Sequence, residues 1–288
     1  MRKIIAVLSD MHAGHSLGLC NPEAMIFDTA PEPAEEIPVS INSWQQYLWE
    51  EIFLTGIERI KSIAGDDEVH LVSLGDVTQG SKYPSHLTAT SDGNQCRIAA
   101  SNLAVITKEL SVKRVTMVVG TSAHVGEEFG LTHATASILK NEHETQLEHI
   151  DVSQHAVLDV HGYQIDLAHH GSSGGGRQWL RGNIVRYEAI SQILEYIENG
   201  ETPPDMFLRG HFHDEILETI TRKINGDIKE FKYVIIPSMT GMNAYARKVT
   251  RSRPTVTNGM VAIEVVDGNL SNIHFLSQTK NLRTTFRI

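Results

Sequence analysis

The sequence predicts an α/β fold in which two mixed β-sheets pack face to face and helices flank them. Two observations predict it. Through the first half, short apolar and β-branched runs alternate with segments of helical periodicity. In the last third, strand-like runs follow one another around the turn pairs Asn225-Gly226 and Asp267-Gly268. Sheets that are apolar on both faces need cover on both sides, so a layered architecture follows. The 288 residues suffice for one large core. With no internal repeat, low-complexity tract or linker, the chain reads as a single domain, 1–288, with a long irregular insertion at about 13–42.

The elements follow in order. Ile4 to Leu8 is a buried strand by its continuous apolar run. Residues 13–42 are broken by Gly14, Gly18, Pro22, Pro31, Pro33 and Pro38 and carry the acids Glu32, Glu35 and Glu36. A loop of that length is usually functional or mobile. Ser43 is placed to cap a helix reaching about Ile63, with Tyr47, Leu48, Phe53, Leu54, Ile57 and Ile60 near helical spacing. Val69 to Leu74 is a second strand ending in Gly75-Asp76, and a helix follows from about Gln95 to Leu110. Arg114 to Val119 is a third strand ending in Gly120, followed by a helix near Thr132 to Asn141. Ala156 to Val160 and Tyr163 to Ala168 form a hairpin across His161-Gly162. A helix from about Arg186 to Asn199 leads to a short strand, Met206 to Leu208, that runs into Arg209-Gly210-His211. From Glu215 onward the chain reads as antiparallel strands.

Composition narrows the classes. No apolar run approaches the ~20 residues that span a bilayer. Arg2-Lys3 before Ile4 could open a signal peptide, but Asp10 ends the apolar run too soon. These features predict a cytoplasmic protein without membrane contact. Cys20 and Cys96 give neither a disulfide framework nor a zinc-ribbon spacing. A formal net charge of -10 argues against general nucleic-acid binding, which draws on Lys and Arg. Bound divalent ions would weaken that argument by adding positive charge where a phosphate sits.

Four expected strand ends carry the same kind of residue: Asp10-Met11-His12, Gly75-Asp76, His169-His170-Gly171 and Gly210-His211-Phe212-His213. In open α/β sheets the ligand crevice lies beyond the carboxyl ends of the strands, so these tips can converge. Positions i and i+2 of an extended segment face the same way, which pairs Asp10 with His12 and His211 with His213. Each motif alone is commonplace: Asp-x-His is often a turn cap, and Gly-Asp is often a turn. Their joint occurrence in register points to a metal centre. A mixed imidazole and carboxylate set suits manganese, iron, zinc or nickel, and suits calcium poorly.

The order Asp-x-His-x-Gly, Gly-Asp, His-Gly and Gly-x-His-x-His, over roughly residues 4–213, resembles the calcineurin-like metallophosphoesterase superfamily. Gly18-Leu19-Cys20-Asn21-Pro22 and the helix beginning near Trp44 resemble its bacteriophage-borne members. The resemblance implies two divalent ions, manganese first, with iron, zinc or nickel as alternatives. It implies that Asp10, His12 and His213 hold the first ion, Asp76 bridges, and His170 and His211 hold the second. Strand alternation sends His169 and His170 to opposite faces, so one is a ligand and the other packs or makes contacts behind it. The Gly that follows the ligand in the family favours His170, with His169 kept as a possible ligand.

The sequence departs from the family at one motif. Members usually carry Gly-Asn-His-Asp or Gly-Asn-His-Glu after the third strand, where this chain has Gly120-Thr121-Ser122-Ala123-His124. His124 is read as the general acid, with replacement of the missing ligand as its alternative. Arg177 and Arg181, after the Gly-rich stretch 171–176, can clamp a substrate phosphate, although a solvent-facing pair at a helix start fits as well. The basic run Arg247, Lys248, Arg251 and Arg253 can contact a polyanion. The expected activity is hydrolysis of a phosphomonoester or phosphodiester by a water activated between two metal ions. A nuclease acting on DNA or RNA, and a catalytically degenerate binding module, are the alternatives. The oligomeric state is not legible.

Overall fold

The computed structural model describes residues 1–287 apart from 29, 83, 85, 127, 129, 176, 177, 225 and 250–252. Arg177, Arg251 and Asn225 of the turn pair therefore lie outside the described residues. Among the described residues, one sheet has six strands in the order β13-β12-β1-β4-β5-β6. These are β1 (Arg2–Leu8), β4 (Val69–Leu74), β5 (Arg114–Val118), β6 (His149–Ser153), β12 (Thr255–Val266) and β13 (Asn269–Asn281). β1, β4, β5 and β6 run parallel, and β12 pairs antiparallel with β1 and β13. The second sheet, in the order β10-β11-β9-β8-β7, contains β7 (His155–Val160), β8 (Tyr163–Ala168), β9 (Met206–Arg209), β10 (Ile216–Ile224) and β11 (Asp227–Ile235). There β8, β9 and β11 are parallel.

The two-residue period of the strands sorts side chains into three cores. On β1, Ile4, Ala6 and Leu8 face helices, while Ile5 and Val7 face the second sheet. β12 repeats the division, with Met260 and Ala262 on one side and Val261, Ile263 and Val265 on the other. A slip of one residue would exchange the two sets, so register is strongly specified. The middle layer joins Ile165, Leu167, Met206, Leu208 and Val234 of the second sheet to Val7, Val72 and Leu74 of the first. The outer face of the first sheet is covered by α1 (Ser43–Tyr47), a π-helical stretch Leu48–Leu54, α2 (Thr55–Ala64), α3 (Asp92–Glu109) and α5 (Gly130–Glu142). On the far side, α6 (Asn183–Glu198) lays Val185, Ala189 and Ile193 on Phe207, Phe231, Tyr233 and Ile235. The predicted layering of two packed mixed sheets between helices is thus observed. No helix among the described residues is long and apolar enough to cross a membrane.

Several local expectations change. The first helix is capped by Asn42 rather than Ser43: its side chain accepts from the amides of Trp44 and Gln45, and Gln45 returns a bond to the Asn42 amide. Ser91 caps α3, so that helix starts at Asp92, earlier than expected. The insertion at 13–42 is not wholly irregular, because β2 (Met25–Asp28) pairs with β3 (Glu35–Pro38). β2 is a four-residue, mostly apolar run and β3 an acidic one, so neither shows the alternation that marks a strand in sequence. α3 holds this region down: Asn102 Oδ1 accepts from the Asn21 amide at 2.7 Å, and Arg97 lies 4.2 Å over the ring of Phe27. The edge strand β6 does alternate, with Ile150 and Val152 turned to the helix-side core, but at five residues its run is too short to stand out in the sequence. α4 (Ser122–Val125) and α7 (Ala244–Val249) complete the helices named here. Cys20 and Cys96 are free and buried.

Leu167 is fully buried between the sheets. Leu167→Ala is expected to lower unfolding stability by about 2–5 kcal/mol, read from urea denaturation midpoints. Val157→Ala, at a half-exposed position on the neighbouring strand, should change it by less than about 0.5 kcal/mol.

Candidate metal centre

The carboxyl ends of β1, β4 and β5 in one sheet and of β8 and β9 in the other come together at a single rim. Backbone bonds stitch the loops there: Asp10 N donates to Gly75 O at 3.2 Å, His12 N to Asp76 O at 2.9 Å, and Gly210 N to His169 O at 3.0 Å. Asp10, His12, Asp76, His211 and His213 all have positive φ, between 44° and 66°. Such backbone costs on the order of 1–3 kcal/mol per residue and persists only where its surroundings enforce it. The Asp10/His12 and His211/His213 pairs therefore converge through left-handed turns, not through the extended alternation the sequence suggested. Met11, between the first pair, turns fully into the helix-side core.

Asp10, His12 and His213 form one group whose donor atoms lie within 4.8 Å of one another. His213 Nε2 is 3.2 Å and His12 Nε2 4.0 Å from Asp10 Oδ1, and His12 Nε2 is 3.9 Å from Asp76 Oδ2. The other Asp10 oxygen is held from behind, at 2.5 Å by the Ser9 hydroxyl and at 3.1 Å by the His211 amide. Burial opposes ionisation of Asp10, yet the facing charges of His213, His169 and His12 hold its carboxyl well below the usual range. Burial, with the charge of His124, pushes His12 down to about 3, so its imidazole is neutral at pH 7.

A second group is His169, His170 and His211. His169 is 1% exposed; its Nδ1 donates to Leu74 O at 2.7 Å, which leaves Nε2 facing Asp76 Oδ2 at 3.1 Å. The expected division between His169 and His170 is not what the structure shows. β8 ends at Ala168, strand alternation stops there, and both rings turn to the same cluster with centroids 4.9 Å apart. Burial lowers the His169 pKa, but the Asp76 carboxylate outweighs it and raises the imidazole to about 9. Asp76 belongs to groups on both sides, with His12 and His124 and with Asp10 and His169. Against the cost of burial, His169 holds it ionised below the usual range. Burial and the charge of His169 bring His211 down to about 4.

These residues suit divalent cations on their own chemistry. Both ring nitrogens of His12 are buried without a hydrogen-bond partner among the described residues, while the buried Asp10 Oδ1 and His169 Nε2 meet His213 Nε2 at 3.2 Å and Asp76 Oδ2 at 3.1 Å. Buried carboxylates and lone pairs left in this way are stabilised by coordinating a metal.

Other predicted residues have different surroundings. His124 lies on α4 with its ring edge-on to His12 at 4.6 Å, and its Nδ1 donates to Gln79 O at 2.8 Å. Arg181 does not stand free: it pairs with Asp214 and donates to Glu215 O at 2.8 Å. Arg253 reaches the same Asp214 oxygen at 3.2 Å, while Arg247 and Lys248 are exposed on α7. Two participants escaped the sequence reading. Thr121, directly after Gly120 at the end of β5, donates its amide to Asp76 Oδ1 at 2.6 Å; its strand-end position was the signal available. Arg209, 2% exposed at the end of β9, ion-pairs with the buried Asp166 at 2.6 Å and lies over the rings of Phe207 and Tyr233. That pair fixes the strand end from which His211 and His213 project.

No family model matches the chain, and no curated protein matches it. Among solved structures it is similar to wild-type Vps29 complexed with Zn2+ from Entamoeba histolytica. That match has 11% identity and a TM-score of 0.38, and covers 97% of this chain and 99% of that one. It is also similar to a metallophosphoesterase from Sphaerobacter thermophilus, at 12% identity and a TM-score of 0.35, over 96% of this chain and 88% of that one. Neither likeness bears on what this chain binds.

The Arg209–Asp166 pair carries a pH test. Burial opposes ionisation of Asp166, but a hydrogen bond from His155 and the charge of Arg209 keep its carboxyl below the usual range. A depressed carboxylate contributes stability that is complete above its unfolded value of about 3.9 and lost as pH falls through the folded value. Asp166→Asn should cost about 3–5 kcal/mol at neutral pH, because it leaves Arg209 buried and unpaired. Its urea midpoint should approach that of the wild type as pH falls below the unfolded value of about 3.9 and through the lower folded value.

Proposed function

We propose that this protein is a metal-dependent phosphoesterase. The observation that carries the reading is the convergence of Asp10, His12, Asp76, His169, His170, His211 and His213 at the carboxyl rim of two sheets, with both buried ring nitrogens of His12 left without a hydrogen bond among the described residues. Asp10, His12, Asp76 and His213 would hold one ion; Asp76, His169, His170 and His211 would hold the other. Manganese, iron, zinc and nickel suit such donors. Bound ions would supply Lewis acidity toward a phosphoryl oxygen and lower the pKa of water at the site.

The chain's own groups account for the rest. Asp76 belongs to both pockets, and the Thr121 amide on its Oδ1 fixes the carboxylate plane. Ser9 and the His211 amide do the same for Asp10. His124 donates from Nδ1 to Gln79 O, which leaves Nε2 to exchange a proton with a departing oxygen. The substrate class is a phosphomonoester or phosphodiester, with nucleotides and nucleic acid included.

The test is hydrolysis of nitrophenyl phosphate, its bis-ester and single-stranded DNA, with Mn2+ and with chelator. Chelator-sensitive turnover of at least one is expected. Asp76→Asn should lower kcat by about a hundredfold or more while leaving the circular dichroism spectrum unchanged. Full turnover in that variant would remove Asp76 from its bridging place.

A further inference from the structure

The two pockets are not alike. Around the Asp10 pocket stand two carboxylates, Asp10 and Asp76, and the imidazoles of His12 and His213, with His124 beside His12 and Asp76. Around the other stand three imidazoles and one shared carboxylate. A further oxygen enters it: Thr121 Oγ1 lies 3.3 Å from Asp76 Oδ2, 3.3 Å from His170 Nε2 and 3.3 Å from His211 Nδ1. Asp76 Oδ2 in turn is 3.1 Å from His169 Nε2. Donors about 2.0–2.1 Å from a zinc ion in tetrahedral array stand about 3.3 Å from one another. The spacing around Thr121 is already that of a small, low-coordination site. In the Asp10 pocket His213 Nε2 is 3.2 Å from Asp10 Oδ1, while His12 Nε2 stands 4.0 and 3.9 Å from Asp10 Oδ1 and Asp76 Oδ2.

Donor type points the same way. Imidazole nitrogens favour zinc, copper, iron and nickel, whereas carboxylate and water oxygens favour manganese and magnesium. Ring orientation adds to it: His169 Nδ1 is committed to Leu74 O, so Nε2 is the nitrogen left to coordinate an ion.

We propose that Thr121 closes a nitrogen-rich pocket with His169, His170, His211 and Asp76, and that this pocket selects zinc over manganese while the Asp10 pocket admits manganese. The inference rests on the metallohydrolase reading. It adds to it a division of labour between the ions: one resident zinc and one exchangeable position. The hydroxyl of Thr121 enters as a neutral fifth donor, so it adds an oxygen without adding charge to a pocket that already shares its carboxylate.

The experiment uses the full chain, stripped by chelator and titrated with Zn2+, Mn2+ and Co2+. Metal content is read after dialysis, and cobalt by its visible absorption. One equivalent of zinc that survives excess Mn2+, beside a second that exchanges, is expected. So is an intense cobalt band from a four- or five-coordinate ion in the tight pocket. Thr121→Val should weaken the tight equivalent about tenfold, and Thr121→Ser should restore it. His170→Ala, at an exposed position, should abolish it while the exchangeable equivalent persists. Two equivalents that exchange equally with Mn2+, or a tight zinc unaffected by both Thr121→Val and His170→Ala, would overturn the inference and leave the metallohydrolase reading standing. No binding of any of the three ions would overturn both.

Discussion

Two ionised carboxylates buried where the edges of two sheets meet are the constraint on which the rest of this structure depends. Asp10 and Asp76 are nearly inaccessible to water. Charges in such a place must be paired or bound to a cation. The surrounding architecture answers that requirement with imidazoles, backbone amides and hydroxyls, each delivered from a different strand end. The sandwich can do this because its parallel strands in both sheets point their carboxyl ends to the same rim.

The backbone at that rim is itself under load. Left-handed φ at Asp10, His12, Asp76, His211 and His213 would relax if the loops were free. They are not free, because the first sheet's loops hydrogen-bond to one another and Gly210 ties the loop after β9 to that after β8. Gly75 shows how close the fit is: at φ 89° it sits where a Cβ would run into the His169 ring. Behind the loops, Arg209 and Asp166 form a buried ion pair that holds β9 against β8. The rigidity of the middle core is thereby passed to the ligand-bearing ends.

The layered fold was legible because it follows from pattern. Apolar runs such as Ile4 to Leu8 and the alternating strands of the last third state their burial directly. The hairpin inside residues 13–42 and the edge strand β6 were not legible, since strands of four and five residues are too short for their pattern to stand out. The hairpin is held instead by distant side chains of α3: Asn94 bonds the Phe27 backbone and Arg97 lies over its ring. Of the site, the residue types and their order could be read, but the directions of their side chains could not. Alternation argued for separating His169 from His170, yet β8 stops one residue before the pair and both rings, one buried and one exposed, turn to the same cluster. Thr121 was passed over because a threonine after a glycine carries no signature of its own.

What the sequence determined by itself was therefore the set of elements and the chemical inventory at their ends: carboxylates, imidazoles and glycines placed just beyond buried strands. Those are local facts, carried by periodicity and residue type. What only the tertiary structure decided was which of these groups share a pocket, which nitrogen each histidine offers, and that Arg181 is bound to Asp214. The reason is physical: a donor's direction is set by left-handed turns and by backbone partners up to 201 residues away in sequence, as between Asp10 and the His211 amide. No local pattern encodes such a distance.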